Sequence, residues 1–110
     1  MRPIFIYGTL LDARVFARFA GRAPLRRATA AVAHGWRRAR LRGTPYPTLV
    51  RGPGTVRGAL LPPLPAACLQ RLAAYEGPSY RLTPITVSTS RHGTRRARAW
   101  MAPTWRAVAP

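Results

Sequence analysis

A chain of 110 residues, 47% of them apolar, is long enough to bury a core and is expected to form a single domain over 1–110. Its 19 basic residues are all arginine and face only two carboxylates, Asp12 and Glu76, for a formal net charge of +17. These counts remove whole mechanisms. Without lysine there is no Schiff base and no Walker A phosphate loop. Two histidines, one cysteine and two carboxylates, all far apart in sequence, argue against a metal centre, so neither a metal nor another cofactor is expected.

Cys68 has no intrachain partner, no apolar run approaches the length of a membrane span, and the opening "MRPIFIYGTL" is too short for a signal peptide. The expectation is a cytoplasmic protein with no membrane partner. Such a net charge ordinarily points to nucleic acid. Here lysine and asparagine are absent while Ala, Arg, Pro and Gly abound, which a GC-rich coding sequence produces without selection for binding. Nucleic-acid binding through the arginine-rich surface is therefore the weaker reading, although the field would still draw small anions.

In chain order, "PIFIYG" (3–8) is a continuous apolar run ending in glycine, the pattern of a strand buried on both faces. "DARVFARFAG" (12–21) predicts a short helix with Asp12 as N-cap, Val15, Phe16 and Phe19 inward, Arg14 and Arg18 outward, and Gly21 as its stop. From about 26 to 42 the alternation is strand-like, with Arg38, Arg40 and Arg42 on one face. "TPYPTLV" (44–50) reads as a proline-punctuated loop or short strand, and "TVRGALL" (55–61) as another strand. "PAACLQRLAAYEG" (65–77) predicts a second helix with Pro65 in its first turn. "LTPITVST" (82–89) and "RRARAWMA" (95–102) alternate as strands around a His92-Gly93 turn. This order excludes a regular parallel β-α-β repeat. It predicts an α+β domain with a strongly curved or barrel-like sheet.

On the second helix Cys68, Leu69, Leu72 and Glu76 fall on one stripe, so Glu76 continues the buried face. It also sits at the helix C-terminus, where the dipole disfavours an anion. Both effects raise its pKa, and an arginine such as Arg81 would lower it again. A glutamate paired structurally with one of the arginines is the competing reading. Gly77 gives a sharp exit, and Tyr75 and Tyr80 supply aromatic walls with hydroxyl handles, which favours a carboxylate tuned upward in a cleft as a general base. A second feature is "FIYGTLLD" (5–12), where a buried strand turns through Gly8 and Thr9 into a capped helix. Backbone N–H groups in such a turn converge on an anion, although an ordinary tight connection has the same pattern.

Taken in order, "IFIYGTL" (4–10), "YPTL" (46–49), "GTVRGALLPP" (54–63) and "LAAYEGPSYRLTPITV" (72–87) resemble the gamma-glutamylcyclotransferase-like, or avirulence-induced-gene-like, family over nearly the whole chain. The resemblance implies that family's small mixed β-barrel with short flanking helices and a cofactor-independent enzyme. It implies Glu76 as acid/base, and Tyr7, Gly8, Thr9 and Leu10 as the loop holding the carboxylate end of a gamma-glutamyl group. It further implies substrate-lining roles for Tyr46 and Tyr80. Ala73 stands where the family often has Asp, and Leu82 where many members carry Arg.

The implied reaction is intramolecular acyl transfer in a small gamma-glutamyl amine or peptide, releasing 5-oxoproline and a free amine. One carboxylate suffices for it. Cys68, Asp12, His34 and His92 read as structural, and Trp36, Trp100 and Trp105 as core or rim packing. Two readings from other classes remain: a non-catalytic small-ligand-binding module of the same fold, and an arginine-driven nucleic-acid binder using Arg38, Arg40 and Arg42 with Arg96 and Arg98. The assembly is expected to be a monomer or a homodimer.

Overall fold

The structure is a computed structural model describing residues 2–21 and 23–108, apart from the side chains of Thr9 and Ala23. The opening apolar run forms strand β1, Ile4–Ile6, and every residue in it is buried. Successive strand side chains point to opposite faces. Phe5 and Tyr7 accordingly enter the interior of the sheet with Leu49, Val56, Ile85 and Met101. Ile4 and Ile6 pack outward against Phe16, Leu64 and Leu72 beneath the helices. One short strand thus joins two cores.

Helix α1, Ala13–Ala20, is capped by the Asp12 carboxylate, which accepts from the Arg14 N–H at 2.9 Å, and it stops at Gly21 with φ 74°. A helical turn, α2 (Ala23–Arg26), precedes the stretch expected to be strand, with Pro24 in a first helical turn that its ring fits. Strand β2 then runs Thr29–Leu41 and pairs antiparallel with β3, Pro47–Leu61.

β3 joins the loop or short strand expected at 44–50 to the strand expected at 55–61. It is one strand. Residues 52–54 lie opposite Gly35 where the register shifts between His34↔Thr55 and Trp36↔Arg51. Gly35 has φ 80° and Gly54 φ 143°, so the irregularity bends the pair instead of ending it. Helix α3, Ala66–Glu76, precedes the hairpin of β4 (Arg81–Thr89) and β5 (Gly93–Met101). A 3-10 turn at Thr104–Arg106 leads into β6, Ala107–Val108, which adds to the β2 edge at Arg40 and Leu41.

The strand order β3-β1-β5-β4-β2 closes on itself through β2–β3 pairing, giving a five-strand mixed barrel with short helices outside it. β1–β5 is its parallel junction, and the remaining pairs are antiparallel. β4 lies between β2 and β5, so Arg38 and Arg40 are not on a strand neighbouring that of Arg96 and Arg98. Trp100 is buried and Trp36 half-buried, but Trp105 is 77% exposed and packs against no core.

Where β1 crosses β3, the closeness of the backbones depends on a missing side chain. A Cβ at Gly58 would overlap the Ile6 carbonyl oxygen and lie 2.9 Å from the Phe5 ring. Neither neighbour can yield, because Phe5 is fully buried and Ile6 is paired with Ala59. Gly58→Ala is therefore expected to cost about 1–3 kcal/mol, the usual penalty of overpacking, read as a lower midpoint in thermal or urea unfolding. An unchanged midpoint would show that β1 can shift on β3.

Candidate active site

Four elements converge at one end of β1. Leu72 is fully buried and anchors α3, with Cys68 and Leu69 packed into the same helix–sheet core. Burying such a leucine is worth about 1.5–3 kcal/mol, enough to fix which face of the helix turns inward. The Arg71 Nε–H adds a 2.7 Å bond to the Phe19 carbonyl at the end of α1. Glu76, one turn beyond Leu72, is the last helical residue. The Gly77 N–H closes the helix on the Ala73 carbonyl at 3.0 Å, and with φ 88° Gly77 turns the chain in a direction that other residues resist. The Tyr80 N–H then bonds back to the Gly77 carbonyl at 3.3 Å, returning Tyr80 to the same place.

The result is a cavity of about 190 Å³ lined by Tyr7, Gly8, Leu10, Tyr46, Glu76 and Tyr80, together with Phe5, Ile6, Pro47, Tyr75 and Trp100. Segments nearly 70 residues apart in sequence therefore share one concavity. Of the residues singled out from the sequence, only Thr9 cannot be placed by its side chain, which lies outside the described residues. Tyr46 is 56% exposed and stands at the rim. Tyr75 tilts against Phe19 with ring centroids 4.7 Å apart.

Glu76 is the only carboxylate among the residues lining this cavity, and no arginine lines it. Among the described residues the single ion pair joins Arg14 to Asp12 at 3.9 Å. Arg81 does not pair with Glu76; it is exposed and lines a different depression. Without a cation to offset desolvation, burial raises the Glu76 carboxyl to about 7.

The phenols are held by backbone carbonyls. Tyr7 Oη donates to the Trp100 carbonyl at 2.5 Å and Tyr80 Oη to the Pro47 carbonyl at 2.8 Å. Burial, then the neighbouring Tyr80 and Glu76 charges, push the Tyr7 hydroxyl well above its ordinary range, outweighing Thr48 and Arg38. Burial and then Glu76 and Tyr46 push Tyr80 to about 12. Both stay protonated at any physiological pH. Arg38 reaches from β2 to donate to the Tyr7 carbonyl at 2.5 Å and so fixes the chain just before the Gly8 turn.

Gly8 needs no special backbone angle. It leaves room, since a Cβ there would stand 3.2 Å from the Pro47 ring. Pro47 and Trp100 were missed from the sequence. Each supplies the carbonyl that holds a tyrosine, a role set by cross-strand neighbours and not by residue type.

Residues 4–108 match the family model for gamma-glutamyl cyclotransferase, AIG2-like proteins. The chain belongs to this family. Among solved structures, two from Arabidopsis thaliana are similar at 26% identity, with TM-scores of 0.78 and 0.77 over 94% and 92% of this chain. A structure described as a gamma-glutamyl cyclotransferase superposes with a TM-score of 0.73 at 16% identity over 93% of the chain, a likeness of fold. This gamma-glutamyl cyclotransferase-like chain spans 69%, 61% and 66% of those three proteins' own lengths. No curated protein matches it. Among the described residues, no helix is long and apolar enough to cross a membrane, and no three metal-binding side chains cluster.

Proposed function

We propose that this chain converts a small gamma-glutamyl amine or peptide into 5-oxoproline and a free amine, with Glu76 moving the proton. The observation that carries the reading is the lone Glu76 carboxyl, raised to about 7, in a cavity also lined by the Gly8 turn. A carboxylate of that basicity takes a proton from an ammonium far more readily than one near 4.5, and it still returns the proton at neutral pH.

In this reading the substrate's carboxylate end is held at the Gly8-to-Leu10 turn and its α-ammonium faces Glu76. The ammonium gives one proton to the Glu76 carboxylate. The freed nitrogen lone pair attacks the γ-carbonyl carbon, forming a ring C–N bond and moving the carbonyl π pair onto oxygen. The ring nitrogen, which still bears two hydrogens, loses one to solvent as collapse restores the carbonyl and breaks the bond to the leaving nitrogen, which takes the proton from Glu76. The carboxylate ends as it began.

Because the nucleophile is tethered to the carbon it attacks, holding the folded conformer is worth up to about 7–11 kcal/mol. Proton transfer adds about 10²–10⁴-fold. With their hydroxyl protons committed to Trp100 and Pro47, Tyr7 and Tyr80 present oxygen lone pairs to the cavity, which suits a substrate ammonium.

The test is a panel of gamma-glutamyl amines and peptides assayed for 5-oxoproline and amine in equal amounts. Release from at least one compound is expected. Saturable binding without release from any of them would leave a ligand-binding module of this fold and reject the enzyme.

A further inference from the structure

The barrel's closure is weak between β2 and β4. β2 and β4 pair only at Ala31↔Thr89 and Val32↔Ser88, and from there the two strands diverge. β2 next meets a neighbour on this side at Arg40 and Leu41, where β6 joins it. The intervening edge, residues 33–39, carries no ladder on this side.

Two depressions of 620 and 380 Å³ follow the opening, and Trp36 and Arg51 line both. Leu49, Val50 and Met101 contribute to the apolar lining of the larger one, and Ile85 to the smaller. Arg37 and Arg81 stand along the first, and Arg2 and Arg96 along the second, while neither carboxylate of the protein lines either one.

The direction of the free amides follows from their neighbours. The Leu41 N–H turns to the Tyr46 carbonyl on the β3 side, whereas the Arg42 N–H turns the other way, to Arg106. Alternation along the strand therefore aims the N–H and C=O of Trp36 and Arg38 into the opening. On the opposite bank Pro84 has no N–H to offer. β2 is the edge able to receive a strand, and β6 already uses its far end in that way.

We propose that this groove is a docking site for an extended acidic segment of a partner protein, added as a strand to β2 at Ala33–Ala39. Main-chain bonds to the open edge would hold such a guest, as in strand-addition complexes generally. Seven residues of edge span about 20 Å and take a guest of about six residues. Alternate side chains would meet the aliphatic lining, and the others the arginines.

A second copy of this chain fits poorly because it carries +17 and only two carboxylates. Single-stranded nucleic acid would require an open ring for stacking. The Arg51 guanidinium already lies 4.7 Å from the Trp36 ring centroid, the His34 ring is bonded to Ser88 Oγ at 3.0 Å, and no other Trp, Tyr or Phe lines the groove.

The experiment mixes the full chain with a fluorophore-labelled, capped hexapeptide of alternating valine and glutamate at physiological salt. Its comparators are the valine–lysine peptide and a short oligothymidylate. The expected result is saturable binding of the acidic peptide alone, with the Trp36 and Arg38 amides shifted and slowed in hydrogen exchange. The double variant Arg81→Glu, Arg96→Glu, both exposed positions outside the Glu76 cavity, should weaken binding at least tenfold with an unchanged melting temperature. No binding, equal binding of the lysine peptide, or binding that leaves those two amides unaltered would overturn the proposal. Protection of the same amides by the oligothymidylate alone would instead assign the groove to nucleic acid. Each readout on the unmodified chain stands even if the double variant fails to fold, and none depends on turnover at Glu76.

Discussion

Glu76→Gln is expected to reduce turnover of a gamma-glutamyl substrate by at least about 10²-fold without lowering the melting temperature. Glutamine keeps the shape and reach of the side chain but cannot take an ammonium proton. The loss should fall on kcat more than on KM, because the Gly8 turn and not Glu76 is assigned the substrate's carboxylate. Stability should hold or rise. The wild-type carboxylate ends a helix, where an anion is disfavoured, and it lies in a cavity that no arginine lines. A glutamate kept for packing against an arginine would give the opposite pair of results, a lower melting temperature with activity per folded molecule retained. Both quantities come from one preparation.

Much of this arrangement is legible in the sequence because it depends on local periodicity. The run Ile4–Ile6 has no polar face, so it can only be a strand covered on both sides. The spacing of Cys68, Leu69 and Leu72 identifies the inward face of α3 and carries Glu76 with it. What local pattern misses is pairing. Gly52-Pro53-Gly54 has the composition of a turn, and only the facing Gly35 makes it a bulge in a continuous β3. Arg81 lies five residues from Glu76 and looks like its partner. Gly77 and the direction of β4 carry it to another surface, and that separation leaves the carboxyl with its raised pKa. Trp100 and Pro47 contribute backbone carbonyls, which no residue-type argument can assign in advance. Trp105 shows the reverse error, a large apolar side chain read as packing that is in fact exposed.

The pH dependence should carry the signature of the same carboxyl, with a sign that separates the two readings. If Glu76 acts as base with its pKa near 7, kcat/KM should fall about tenfold for each pH unit below 7 and level off above it. Between pH 7 and pH 5 that is roughly fiftyfold, because half the carboxyl is already protonated at its pKa. Tyr7 and Tyr80 do not titrate in this range, since both are pushed upward. Stability should move the other way. The folded carboxyl at about 7 stands above its unfolded value of 4.5, so the folded state holds the extra proton between those limits. This contribution is complete below about 4.5, declines as pH rises through 7, and is flat beyond. An arginine-paired glutamate would have its folded pKa depressed and would lose stability on acidification instead. The comparison is direct because the chain holds only one other carboxylate, Asp12. Urea midpoints of wild type and Glu76→Gln at pH 4.5, 6 and 8 isolate the one group. The variant's advantage should widen with pH, and an advantage that shrinks instead would place the Glu76 charge against a cation and remove it as the base.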